Sequence, residues 1–438
     1  MNVDLTHSDS PLHQLAREHG IERSYIDISG EIQVATPEVL RAVLKALGIP
    51  AQTDAEVDEQ LRLARRQRWS RPLDPVIVAW RGEGTFSLHL PAELDRGRLV
   101  LTLTPEDGGP DKTVKGRLED YAVAATDEVD GRRYVARQMR LPGPLPHGAH
   151  RLHLRIEGKP PVEGEAVVLA APVEAFVPSA TDNPRPWGVF LPLYALHSER
   201  SAGAGDLGDL GELMRWVGEQ GGAVVGTLPL LAAFLDEPFE WSPYAPASRL
   251  AWNELYMHLE QVPEYRASAK AQALYEGPKA AAERARLAEA PLVEYREQMA
   301  FKRRAIESMA EACFAKVSAR AEELATFAQA RPELDDYARF RAVTDRQRKT
   351  WPQWPQALRD GTVTASDFAV ADHRYHLYAQ WIMHQQLEAL GSNAPAGSLG
   401  LYLDLPVGVN GCSYDTWKHP DLYVRGLSTG APPDTLFG

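Results

Sequence analysis

The chain is 438 residues long, sets 60 acidic side chains against 47 Lys and Arg, and carries a formal net charge of −13. That length exceeds one hydrophobic core and calls for about two to four domains. The acidic balance argues against nucleic acid or an anionic membrane surface as a partner, because both select clustered Lys and Arg.

Cys313 and Cys412 stand far apart without a CxxC companion, so neither a disulfide framework nor a cysteine-built metal site is supported, and a reducing cytoplasm is the simplest compartment. The opening MNVDLTHSDSPLHQL puts acids where a signal peptide needs a basic start and an apolar centre, and no apolar window reaches bilayer-spanning length. A soluble, cytoplasmic protein is expected.

Residues 1–74 are expected to form a small helical domain. In PEVLRAVLKALGI, Val39, Leu40, Val43, Leu44 and Leu47 fall on one stripe at helical period. Between 75 and 177 the period changes to two. HRLHLRI sets Leu152, Leu154 and Ile156 on one face against Arg151, His153 and Arg155 on the other, and VIVAW, TFSLHL, RLVLTLT, RRYVARQM and AVVLAA follow suit between Gly and Pro turns. This predicts a β-sandwich domain. PSATDNPRP then reads as a linker.

The third region, 184–438, opens on an α/β pattern. Residues 187–194 are apolar enough for a strand buried on both faces, and the helix after them repeats Leu207, Leu210, Leu213, Met214 and Val217. Asp206 stands where an N-cap belongs, Gly221-Gly222 where the helix ends, and 223–230 (AVVGTLPL) reads as the next strand. Strand, helix, strand implies a parallel sheet. A helical insertion rich in Ala, Glu, Arg and Lys is expected over about 260–395, broken at WPQWPQ, before a third strand at 399–407 (LGLYLDLPV).

Three constellations invite chemistry and read better as structure. Gly203-Ala204-Gly205-Asp206-Leu207-Gly208 satisfies GxGxxG, but ALHSERSA separates it from the strand, Pro229 and Leu230 stand where a ribose-binding acid belongs, and Asp206 would repel a pyrophosphate. His197, Ser198 and Glu199 hold the ingredients of a triad, yet neighbours in one loop rarely face each other. His373, His376 and His384 can share a helix side but lack a ligand set, so no metal is expected.

A fourth segment is more telling. PLLAAFLDEPFEWSPYAPASRLAWNELY mixes Phe234, Trp241, Tyr244, Trp252 and Tyr256 with Ser242, Ser248, Arg249 and Asn253. Aromatic faces beside hydrogen-bonding groups suit sugar rings, which present C–H groups to a π-face while their hydroxyls need partners. Trp252 and Tyr256 are equally suited to core packing. Asp404 closes the third strand, at the end that faces the ligand crevice in parallel α/β folds; the alternative is a loop-bracing carboxylate. Asp434 follows a Pro-Pro turn, where an ordinary surface turn is the alternative.

Taken together, the 187–209 block, the Ser242-Pro243-Tyr244 loop with Asn253-Glu254-Leu255-Tyr256, the LYLDLPVGV strand and GAPPD at 430–434 resemble the 4-alpha-glucanotransferases, the amylomaltase or disproportionating-enzyme family. The resemblance implies an α/β fold: part of a (β/α)8 TIM barrel with a helical insertion, preceded by the small helical domain and the β-sandwich. It implies transfer of α-1,4-glucan segments from a maltodextrin donor to glucose or another maltodextrin, with retention and without a cofactor.

By the same resemblance, Tyr244 is the sugar-stacking tyrosine; the mix of aromatic and polar side chains beside it adds Trp241 and Ser242 as candidate substrate-binding residues. Asp404 supports the active centre, and Asp434 begins a substrate-covering loop. The family's nucleophile, acid/base and stabilising carboxylates come from strands downstream of GAPPD. Only three of the barrel's eight strands are legible here, so a catalytically inactive N-terminal portion is expected. A non-catalytic glucan-binding protein is the alternative, ahead of a dinucleotide-dependent oxidoreductase.

Overall fold

A computed structural model of the chain describes residues 10–27, 29–158, 161–175, 185–392 and 400–428. These fall into two compact units that divide close to residue 178.

The first unit begins with α1 (Pro11–Glu18), α2 (Pro37–Ala46) and α3 (Asp54–Ser70), capped by Ser10, Thr36 and Thr53. Each capping hydroxyl accepts a backbone N–H, and in α3 Glu56 returns the bond to complete a capping box. Leu12, Leu15, Leu40, Leu44 and Val57 form the core of this bundle. The buried stripe of α2 is narrower than the periodicity predicts: Val39 is 51% exposed and Leu47 is also open to solvent. Three short helices close over a single line of side chains. A small hairpin of β1 (Ser24–Ile26) and β2 (Ile32–Val34), absent from the sequence reading, joins α1 to α2. Its three-residue strands are too short and too exposed to print an alternation.

Next come β3 (Val76–Trp80), β4 (Thr85–Pro91), β5 (Arg98–Thr104), β6 (Lys112–Arg117), β7 (Val123–Val129), β8 (Arg132–Arg140), β9 (Gly148–Ile156) and β10 (Val162–Ala171). They form two sheets, ordered β3-β10-β9-β5-β6 and β4-β8-β7. Register aligns Leu99 with Ile156, Leu101 with Leu154 and Leu103 with Leu152, so one apolar face of β5 and β9 builds the core with Leu88, Leu90 and Val168. This is the β-sandwich the alternation predicts. The polar strands β6 and β7 escape the sequence reading because each lies at a sheet edge and needs little apolar surface. Arg62 and Arg65 of α3 pair with Asp130 and Asp127 of the sandwich.

The second unit is built on a parallel sheet ordered β11-β12-β15, with β11 at Gly188–Phe190, β12 at Val224–Thr227 and β15 at Gly400–Leu403. α4 (Leu207–Glu219) makes the crossover between β11 and β12 and buries Leu207, Leu210, Met214 and Val217. All three strands are shorter than the apolar runs. Pro192 ends the first in a 3-10 turn, and Pro229 follows the second. Burial on both faces does not hold either. α4 covers one side, whereas Phe190 is 58% exposed and Tyr402 is likewise open.

Between β12 and β15 the chain forms a short antiparallel pair, β13 (Phe234–Leu235) and β14 (Phe239–Glu240), and then the helical insertion. Its helices are α5 (Pro263–Ala267), α6 (Ala269–Tyr275), α7 (Pro278–Glu289), α8 (Tyr295–Phe314), α9 (Ala319–Ala330), α10 (Pro332–Gln347), α11 (Gln356–Arg359) and α12 (Val370–Ser392). α13 (Tyr414–Lys418) follows β15. Central α12 buries Tyr375, Tyr378, Trp381, Ile382 and Met383 among α8, α9 and α10. Its apolar residues run around the whole circumference, as a helix surrounded by others requires.

Candidate functional site

The C-terminal ends of β11, β12 and β15 are pinned together. Thr227 Oγ1 accepts the Leu193 N–H at 3.1 Å, and the Asp404 N–H donates to the Thr227 carbonyl at 3.2 Å. Asp404 therefore leaves the sheet at a fixed point. Its Oδ2 accepts the Tyr244 hydroxyl at 2.7 Å, and its Oδ1 has no partner among the described residues. The hydrogen bond to this carboxylate, with some burial, raises the Tyr244 phenol above its ordinary value of 10.0. The ring of Tyr244 remains 51% exposed.

The loop carrying Tyr244 is shaped locally. Ser242 Oγ accepts the Tyr244 N–H at 3.3 Å while the Ser242 N–H donates to Glu240 at 3.0 Å. Beside it, Trp241 lies 52% exposed and stacks on Tyr295, with centroids 5.7 Å apart and planes 14° from parallel. Tyr295 meets Tyr194 edge-on at 5.7 Å. These rings, with Phe239 and His197, border a groove of about 660 Å³. The aromatic wall of this groove, with the Tyr244–Asp404 pair on the adjoining loop, offers ring faces and a hydrogen-bonding group to a ring bearing hydroxyls.

Sequence reasoning brings Trp241, Ser242, Tyr244 and Asp404 to this place but misses Tyr194, Phe239 and Tyr295. Tyr295 opens α8, far along the chain, and only a partner for an exposed tryptophan marks it. Asp434 and the GAPPD segment lie outside the described residues.

Other residues of the aromatic segment serve as scaffold. Tyr256 is buried and Trp252 packs against the same core. α12 clamps this stretch twice through glutamine. Gln380 donates to the Trp252 carbonyl and accepts its N–H, both at 2.8 Å, and Gln386 does the same for His258 at 2.7 and 2.9 Å. Ser248 and Asn253 accept nearby backbone N–H groups, and the Arg249 N–H donates to Asp415.

The glycine motif proves to be a packing device. A Cβ on Gly203 or Gly205 would strike the Leu287, Leu193 and Leu196 carbonyls, and one on Gly208 would overlap the His258 imidazole. Asp206 fills the helix N-terminus itself, accepting from Gly208 and Asp209 N–H and lying 3.0 Å from His258 Nδ1. Burial pushes the Asp206 carboxyl up, but the His258 bond and the nearby Lys302 outweigh it and leave the group below its ordinary value. Ser198 donates to Asp209 at 2.6 Å, so 197–199 do not assemble as a triad. The three histidines also part company: His373 faces Asp335, His376 faces Asp345, and His384 packs on Trp252 and Phe327. No group of side chains suited to a metal ion occurs among the described residues.

A parallel sheet with this cleft at its C-terminal ends, an attached helical insertion and a separate sandwich define a TIM-barrel-type α/β protein. The family model described as 4-alpha-glucanotransferase matches residues 191–437, and that for the MalQ N-terminal beta sandwich domain matches 72–172. The chain belongs to the 4-alpha-glucanotransferase family. It is 32% identical to the 4-alpha-glucanotransferase of Mycobacterium tuberculosis over 97% of its own length and 59% of that protein. The Haemophilus influenzae counterpart is 27% identical over 99% and 60%. The crystal structure of amylomaltase from Corynebacterium glutamicum superposes with a TM-score of 0.75 at 27% identity, covering 94% of this chain and 56% of that one. The chain thus spans about three-fifths of the length of the curated relatives it matches.

Proposed function

We propose that the Tyr244 cleft grips α-1,4-glucan for a 4-alpha-glucanotransferase, which moves a segment of a maltodextrin donor onto glucose or a maltodextrin acceptor. The observation that carries this reading is the Tyr244–Asp404 hydrogen bond, which fixes an exposed ring beside the Trp241–Tyr295 stack at the C-terminal ends of the sheet. In this reading Tyr244 and Trp241 stack on successive sugar rings, Ser242 holds the loop, and Oδ1 of Asp404 takes a sugar hydroxyl. Asp434 contributes from the segment after β15.

Retention of configuration calls for a carboxylate nucleophile and an acid/base carboxyl about 5 Å apart. The cleft residues position the glucan for that pair and exclude water by stacking. The reading also places the protein in the cytoplasm. Cys313 and Cys412 are both free thiols, in keeping with a reducing compartment, and no helix among the described residues is long and apolar enough to cross a membrane. Calorimetric titration with maltoheptaose, with cellohexaose as control, tests the substrate class. Saturable binding of maltoheptaose alone is expected, and equal affinity for the β-linked chain contradicts the reading.

A further inference from the structure

The sandwich carries an aromatic site of its own. Trp80 ends β3, and the turn after it, with Arg81 at φ 56° and Gly82 at φ 73°, returns the chain into β4. A Cβ on Gly82 would collide with the Leu145 backbone, so this turn packs directly on the loop between β8 and β9. The two enclose a groove of about 500 Å³ lined by Trp80, Glu83, Thr85, Arg140 and Pro144. The Glu83 N–H donates to the Trp80 carbonyl at 3.1 Å, which closes the turn and sets the two residues opposite each other.

Trp80 is 57% exposed. Its ring meets no other aromatic group among the described residues, and neither the Glu83 carboxylate nor the Arg140 guanidinium has a hydrogen-bond or ion-pair partner there. Arg132 and Arg137 of the same strand, by contrast, hold Glu93 and Asp95. Glu83 offers an acceptor and Arg140 donors beside the indole, with the Lys112 ammonium on the Pro144 carbonyl at the rim, so the groove suits an occupant that both donates and accepts hydrogen bonds. A neutral ring rich in hydroxyls fits. Its C–H face covers the indole, a hydroxyl donates to Glu83, and another oxygen accepts from Arg140.

We infer that the Trp80 groove is a surface site for a neutral α-glucan chain. The identity of the sugar rests on the function proposed above; the site itself rests on the groove. Such a groove attaches a glucan to the sandwich independently of any contact at the Tyr244 cleft.

Titrating maltoheptaose into the 438-residue chain and following backbone amides by NMR tests this. Shifts are expected in the 80–85 and 140–144 segments as well as around the Tyr244 loop. Trp80→Ala should abolish the first set and keep the second, and Arg140→Ala should weaken the first about tenfold, the loss of one good contact. Arg140→Ala leaves the indole in place and so reads the site even if Trp80→Ala fails to fold.

The double variant Trp241→Ala with Tyr244→Ala should keep the sandwich shifts. If that variant changes nothing, the cleft reading fails while this one stands. The inference is overturned if the 80–85 amides do not respond, if both sandwich variants bind like the parent, or if cellohexaose moves them equally.

Discussion

The hydroxyl of Tyr244 donates to the carboxylate of Asp404 at 2.7 Å across 160 residues of sequence, joining the aromatic loop to the end of β15. The phenol is neutral beside a negative charge, and ionising it would set two anions together. Replacing Asp404 by Asn removes that charge. The Tyr244 ionisation, followed by ultraviolet absorbance, should then move down toward 10.0. An unchanged titration would mean that the pair does not exist in solution.

Tyr244→Phe and Tyr244→Ala separate the hydrogen bond from the ring. Phe keeps the stacking face and loses only the tether, so affinity for maltoheptaose should fall by a few-fold, whereas Ala should lose about tenfold or more. Equal losses in calorimetry would show that the ring face contributes nothing.

Asp206 links acid stability to the α4 cap. Its folded carboxyl titrates below the ordinary 3.8, so its contribution is present above that value and fades as pH falls through the folded one. Asp206→Ala should cost about 2–3 kcal/mol at neutral pH, through the lost cap and the Lys302 charge left with less compensation. In urea melts the gap between parent and variant should close below about pH 4. A gap that stays constant down to acid pH would contradict this assignment.

Two glycines give opposite outcomes on substitution by alanine. At Gly208 the added methyl overlaps His258, and a loss of about 1–3 kcal/mol is expected from overpacking. At Gly391, near the end of α12, nothing lies within 4 Å of the added carbon, so alanine should stabilise by about 0.5–1 kcal/mol through helix propensity. Thermal melts of both read the difference, and a neutral Gly208→Ala would undo the packing account of the glycine motif.

Gln380 holds both backbone groups of Trp252 from within the core. Gln380→Ala should destabilise by about 2 kcal/mol or more by leaving a buried donor and acceptor unpaired. Amide exchange at Trp252 should quicken with it, and protection equal to the parent's would show that the clamp is dispensable.

What the sequence reveals follows from how strongly burial shapes it. Alternation over Leu152, Leu154 and Ile156 announces the sandwich because one face of β9 is dry, and the Asp206 cap with its leucine repeat announces α4. β6 and β7 leave no such trace, since edge strands need only one paired side. Proline decides the strand ends, which apolar runs overstate at Pro192 and Pro229. In the site, Tyr244 and Asp404 are legible from loop chemistry and strand-end position. Tyr295 is not, because nothing local in α8 says that its ring will lie under Trp241.

The central claim, that this cleft holds α-1,4-glucan, is tested most directly by a crystal structure with maltoheptaose. A glucose ring should lie on the face of Tyr244 with a hydroxyl on Asp404 Oδ1, and the chain should continue along Trp241 and Tyr295. An empty cleft at saturating sugar would contradict the account.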